Sequence, residues 1–273
     1  MTRMASPDLL LGIDLGAGSL KASLIAFDGT LAGEASHPVA TSAPKPGWSE
    51  QDPWEWWRAV CAAVPAALAR AGGDPKRVAA ISFSAGAHTQ VLEDADGNVI
   101  RPAILWNDQR SGAQTQALRR LADDRILEIG YNRANPTWTL PQMLWLRENE
   151  PEAFARVRRL YVAKDWIRSR FTGGFETDLT LMADARTGEW SGELCDLIGW
   201  PLATLPPIVQ PKSIVGAVSA EAARATGLAE GTPVVCGTSD TAVETYGAGM
   251  MRPGTGVMKL ATAATVSILS PHA

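Results

Sequence analysis

Residues 10–27, LLGIDLGAGSLKASLIAF, place apolar positions on either side of a glycine-bearing turn, and the pattern reads as two short strands folded back on each other. Leu10, Leu11 and Ile13 precede the turn; Leu24, Ile25 and Phe27 follow it. Gly16 and Gly18 are expected to supply the backbone angles and close approach of a tight turn. Asp14 sits where the first strand enters the turn, and Lys21 opens the second strand. An acid and a base at a Gly-rich turn with free backbone N–H groups suit a phosphate and its metal ion. A hairpin with an incidental surface aspartate accounts for the segment equally well.

The order of elements that follows predicts an α/β domain built on one mixed sheet. Leu31–Ser36 reads as another strand, and Ala43–Trp48 as a loop. Asp52-Pro53 predicts a capped helix carrying Trp54, Trp57, Val60, Val64 and Leu68 on one face and ending before Gly72-Gly73. Val78–Phe83 is a compact apolar strand, and Gln90–Leu92 faces Val99-Ile100 across an Asp-Ala-Asp-Gly turn. Helical spacing recurs over Gln109–Ala122, Pro141–Arg147, Pro151–Ala155 and Lys164–Phe171, whereas Gly188–Ile198 and Pro201–Pro211 read as surface connections. Gly231–Asp240 is a strand running into a glycine-and-hydroxyl turn, with a helix from Thr241 to about Ala248. Met258–Leu260 and Thr265–Leu269 read as two last strands without partners in the sequence, so the expected division is a domain over 1–246 and the truncated start of a second over 247–273.

Bulk properties narrow the function. A net charge of −4 and the lack of Lys/Arg runs exclude a nucleic-acid surface, and no apolar stretch approaches a secretory leader or a membrane span. Three cysteines without metal-type or CxxC spacing read as free thiols in a reducing, cytoplasmic setting. Most of the ten tryptophans are expected to be packing, with some available to stack on a sugar ring.

Polar clusters stand at the ends of apolar strands, where ligands gather in open α/β sheets. Asp240, between a strand and a helix N-terminus, fits a general base that takes a hydroxyl proton, or equally the N-cap of that helix. His88 can hydrogen-bond a hydroxyl or simply pack. Trp106 can stack on a sugar or belong to the core. Asn107, Asp108 and Arg110 fit hydroxyl recognition, or an internal salt bridge closing a loop. No GxxxxGK[ST] occurs.

In this order the pieces resemble the FGGY family of carbohydrate kinases, and within it the xylulokinases. The resemblance rests on Gly12–Gly16 with Lys21, Gly47–Pro53 with Trp56-Trp57, Arg101–Asp108 with Arg110, Lys164-Asp165, Thr172-Gly173, Cys195–Leu197 and Pro233–Asp240. It implies an actin-like, ribonuclease-H-type fold with two domains closing over a cleft, with ATP and Mg²⁺ between them. On that likeness Asp240 is the catalytic base and Asp14 the metal-facing acid. Gly16, Lys21 and Thr262 fall on phosphate motifs; Ala87, His88, Trp106, Asn107 and Asp108 contact the sugar or polyol. A homodimer is the assembly left open. The chain departs from the family pattern at Ala17 and Gly18, where hydroxyl residues are usual, at Ala87 in place of Met, and at Leu260–Ala264 in place of a glycine-rich turn. These departures keep a non-catalytic sugar-binding or regulatory domain as the alternative.

Overall fold

The computed structural model describes residues 7–178, 182–260 and 264–271. The opening hairpin forms as β1 (Leu9–Leu15) and β2 (Ser19–Ala26), antiparallel, with Leu11 opposite Leu24 and Asp14 opposite Lys21. Its turn closes through the Gly16 N–H to Ser19 O hydrogen bond, 3.0 Å. Neither Gly16 nor Gly18 has a left-handed backbone, and a Cβ at Gly18 would meet nothing within 4 Å. The expectation that these glycines are required by the turn angles is therefore corrected: the turn closes in conformations open to any residue.

β3 (Leu31–Pro38) pairs with β2. A two-residue strand, β4 (Glu50–Gln51), then leads into α1 (Pro53–Arg70), capped by Asp52 accepting from the Trp54 N–H at 2.9 Å. Val60, Val64 and Leu68 of the predicted stripe are buried and Trp57 packs partly buried against the core, with Trp56, Ala63 and Ala67 sharing that face, whereas Trp54 remains 39% exposed. The helix lies on the hairpin because Gly33 of β3 lets it approach: a Cβ there would stand 2.5 Å from Ala67 O and 2.9 Å from Ala71 N.

β5 (Val78–Ala85) runs parallel to β1, with Asp14 level with Ser84. β6 (Gln90–Glu93) and β7 (Ala103–Ile104) join β4 in a small antiparallel sheet. The helical region follows as α2 (Gly112–Gly130), kinked at Ala122, then α3 (Thr139–Asn149) and α4 (Pro151–Arg156). An unpredicted strand, β8 (Arg159–Val162), pairs with β6 before α5 (Ala163–Thr172). The supposed surface connection at 188–198 is instead a short pair, β9 (Ala183–Asp184) with β10 (Glu189–Trp190), and α6 (Gly192–Ile198), whose Leu194, Cys195 and Ile198 are fully buried. Leu205 of the Pro-rich stretch and Trp200 just before it are buried too. Gly and Pro had set the backbone there without deciding which side chains were covered.

β11 (Ile214–Ala217) and α7 (Ala220–Thr226) precede β12 (Pro233–Val235), which is parallel to β5. The chain turns at Gly237, resumes pairing with β5 as β13 (Thr238–Ser239), and continues directly as α8 (Asp240–Gly247). The main sheet therefore runs β11-β12-β5-β1-β2-β3, with β13 beside β5. α1, α5 and α7 bury one of its faces, and a second core gathers around α2, α3 and α6. Among the described residues β14 (Gly256–Leu260) and β15 (Ala264–Ile268) pair only with each other, and Met258, Leu260, Val266 and Ile268 are exposed.

Gly33→Ala is expected to lower the chemical-denaturation stability by about 1–3 kcal/mol, because its Cβ meets helix backbone that cannot yield, whereas Gly18→Ala should stay within about 0.5 kcal/mol. A Gly18→Ala loss equal to that of Gly33→Ala would restore a conformational role for the turn glycine.

Candidate active site

The parallel pairings set the site's frame. Asp14 of β1 is level with Ser84 of β5, and Ser84 with Thr238 of β13. Ser84 Oγ donates to Asp14 Oδ1 at 2.5 Å, leaving Oδ2 of Asp14 without a partner among the described residues. Gly237 makes the register possible. Its φ is +76°, and a Cβ would fall 2.1 Å from Phe83 O, so only glycine lets β13 swing against β5.

Asp240 follows three residues after Gly237, half-buried, as the first residue of α8. The N-cap is Ser239, whose Oγ accepts from the Ala242 N–H. The capping account of Asp240 is thereby corrected: Oδ1 takes the Thr241 N–H at 2.6 Å, and Oδ2 has no partner among the described residues. Asp240 lines two recesses at once. The larger, about 320 Å³, includes Asp14, Ser23, Ser82 and Ser84; the smaller, about 30 Å³, lies between Gly16-Ala17, Gly86, Thr89 and Trp106. A carboxylate reached from both sides can face a hydroxyl in one recess and the acid of β1 in the other.

Trp106 is 48% exposed even though Ala103, Ile104 and Leu105 before it are buried, and its ring lies over Gly86, where a Cβ would come within 3.1 Å of Cδ1. The core account of Trp106 is not realised. Asn107 beside it is exposed. Asp108 is different. It is fully buried, and its carboxylate accepts from the Ser49 N–H at 2.6 Å, the Arg110 N–H at 2.8 Å, Arg110 Nε at 2.9 Å and Arg110 Nη2 at 2.7 Å. With these positions filled Asp108 offers nothing to a ligand, so its assignment as a sugar contact gives way to the internal salt bridge. The Arg110 side chain, 0% exposed, also reaches Glu50 and stacks on Trp48 at 3.8 Å. Polar composition cannot tell a satisfied ion pair from a binding group; only the count of donors does.

Lys21 is level with Asp14 but its ammonium stands 3.7 Å from Glu34 Oε1, and it lines neither recess. Gly16 lines the smaller one. Ala87 and His88 occupy the half-buried turn between β5 and β6, outside the lining of both. Thr262 lies outside the described residues. The sequence reading missed Ser82; its alternation with Ile81 and Phe83 along β5 was the signal that could have found it.

His88 Nδ1 is 3.0 Å from Thr139 Oγ1, which also accepts from Gln90 Nε2 at 2.6 Å. Directing the Thr139 proton to Nδ1 assigns the Nε2–H tautomer, so the free edge of the ring is a donor. Burial pushes the imidazole down to about pKa 4, so it is neutral near pH 7. Since this lies below the unfolded value of 6.5, the unfolded chain binds more protons as pH falls from 6.5 towards 4, and stability is lost over that window. Urea titrations across this range should show a steeper loss for the native protein than for His88→Gln, by about 2–3 kcal/mol in total. Parallel curves would remove His88 as the source.

Sequence and structure comparisons agree on one lineage. The N-terminal-domain model of the FGGY family of carbohydrate kinases matches residues 9–247. A xylulose kinase of Bacillus subtilis is 34% identical over 262 residues, covering 94% of this chain and 52% of that protein. One of Lactococcus lactis is 35% identical over 268 residues, covering 96% and 53%. The crystal structure of xylulose kinase from Rhodospirillum rubrum superposes with a TM-score of 0.91 at 29% identity, over 96% of this chain and 56% of that one. The chain spans about half the length of the curated relatives it matches, and its mixed α/β sheet has the actin-like architecture of these structures. Carried by a match over most of its length, the chain belongs to the FGGY family of carbohydrate kinases.

Proposed function

We propose that the protein containing this chain is a sugar kinase moving the γ-phosphoryl group of ATP to a hydroxyl of a ketopentose such as xylulose, or of a related sugar or polyol. The observation that carries this is Asp240, which lines both recesses and has one carboxylate oxygen free. Residues 1–246 are the sugar-binding domain in this reading, and 247–273 open a second domain that faces it.

The donor set suits the metal the reaction uses. Among the described residues no three His, Cys, Asp or Glu side chains converge on a metal site. Mg²⁺ needs none, since it keeps several waters and binds through one or two carboxylates together with phosphate oxygens. Asp14, with Oδ1 fixed by Ser84 and Oδ2 free, is the carboxylate that would hold it. When bound, magnesium and ATP supply the transferable phosphoryl group and the cation that screens its charge.

This chain's residues do the remainder. Trp106 presents an exposed ring to the sugar, Asn107 an amide, and His88 a neutral N–H donor. The exposed backbone N–H groups of Ala17 and Gly18 stand in for the missing hydroxyls, the Gly16 N–H being taken by Ser19 O. Asp240 accepts the proton of the attacking hydroxyl. That oxygen forms the new bond to phosphorus as the bond to the β,γ-bridging oxygen breaks and ADP departs. Ala87 leaves one wall of the sugar site wider than a methionine would.

In the full-length protein, Asp240→Asn should lower kcat for its best ketose or polyol by about 10²–10⁴-fold, while calorimetry shows sugar binding retained. Unchanged turnover would remove Asp240 from the mechanism; sugar binding with no ATP-dependent product in the native protein would replace a kinase by a sugar-binding domain.

A further inference from the structure

Behind the strand that presents Asp240 lies a buried ionic cluster that touches neither recess. Lys164, at the start of α5, is 1% exposed and bridges Asp165 Oδ1 at 2.6 Å and Asp178 Oδ1 at 2.9 Å. Asp178 Oδ2 accepts from Thr238 Oγ1 at 2.5 Å. Arg168, fully buried, lies 3.3 Å from Asp165 and donates to Cys236 Sγ at 3.1 Å and to the Glu176 carbonyl at 2.5 Å. Thr177 Oγ1 donates to Asp165 Oδ2 at 2.6 Å. The cluster thus ties α5 and the 176–178 segment to Cys236 and Thr238, on either side of Gly237.

Such a cluster is a poor device for stability alone. Removing these charges from water costs several kcal/mol per ion, and well-packed apolar residues often serve a core as well or better. Burial pulls the Lys164 ammonium down, but the Asp165 and Asp178 carboxylates beside it outweigh that and hold its pKa above the usual lysine value, so the ammonium stays charged. What the charges hold is a segment with little else to fix it. β13 pairs at only two positions, Thr238 with Ser84 and Ser239 with Ala85, and no residue of the α8 helix that follows is fully buried.

We propose that Asp178, braced by Lys164, is a positioning residue for phosphoryl transfer: by accepting the Thr238 hydroxyl it fixes the β13 backbone two residues before Asp240 and so sets where that carboxylate stands. The inference rests on reading Asp240 as the base. Asp178 and Thr238 touch no substrate in this account. They act through the geometry of Asp240, and a displacement of about 1 Å at such a group can cost about 10²-fold in rate.

The test compares Thr238→Val, which keeps shape and loses the hydroxyl, with Thr238→Ser, which keeps the hydroxyl, and with Asp178→Asn, all in the full-length protein beside Asp240→Asn. Thr238→Val and Asp178→Asn should lower kcat by about 10- to 100-fold with the sugar KM within about twofold, and their double variant should lose no more than the worse single one. Thr238→Ser should stay within about threefold of native, and amide exchange over 237–241 should quicken in Thr238→Val alone of the two threonine variants. Should Asp178→Asn fail to fold, the threonine pair still decides. Native kcat in Thr238→Val, equal loss in Thr238→Ser, or losses that multiply in the double variant would overturn the positioning role while an inactive Asp240→Asn leaves the base standing. An Asp240→Asn variant with native turnover would overturn both.

Discussion

The parallel pairing of β1 with β5 is the constraint on which the rest of the structure depends. It runs in register from Leu10 with Ala80 to Leu15 with Ala85, after a shift at Leu9. Because two parallel strands end at the same edge, their last residues and the turns that follow are delivered together, and that edge is where ligands collect in such sheets. β13 joins β5 at the same level, so Asp14, Ser84 and Thr238 share a row and Asp240 begins its helix just beyond it. The antiparallel hairpin and β3 extend the sheet on the other side and supply the apolar face on which α1 packs.

Two buried ionic clusters brace the loops that this pairing delivers. Glu50, Arg101, Asp108 and Arg110 fix the stretch after β7, which leaves Trp106 turned outward over Gly86. Lys164, Asp165, Arg168 and Asp178 stand behind β13. In each, nearly every carboxylate oxygen finds a nearby donor, which is the condition under which buried charge is tolerated. Each also lies one layer behind residues that line a recess. The charged residues of this chain therefore divide into those that hold a loop and those that a loop presents, and Asp108 and Asp240 fall on opposite sides of the division.

Local signals foretold much of the fold. The Asp52 cap with Pro53 marked the start of α1, the alternation in β1, β2 and β5 marked strands, and short helices followed their apolar spacing. Errors came where burial overrode composition. α6 was hidden between Gly192 and Gly199, β8 by its brevity, and in α1 the buried indole is Trp56 while Trp54 stays partly open. The site was legible as residue types at strand ends. The division of roles within it was not, since Asp108 and Asp240 are both aspartates in polar turns.

By itself the sequence determined the opening hairpin, α1 and β5, the family to which the chain belongs and the strand-to-helix position of Asp240, because these depend on periodicity, caps and motif order along the chain. Tertiary structure decided that Asp14 and Asp240 line one recess, that Trp106 is open and Asp108 closed, and that Lys164 and Asp178 stand behind the proposed base. The physical reason is that availability to a ligand is what remains after the protein's own donors are counted, and those donors come from strands and helices 60 or 70 residues away, as Thr238 does for Asp178 and Ser84 for Asp14.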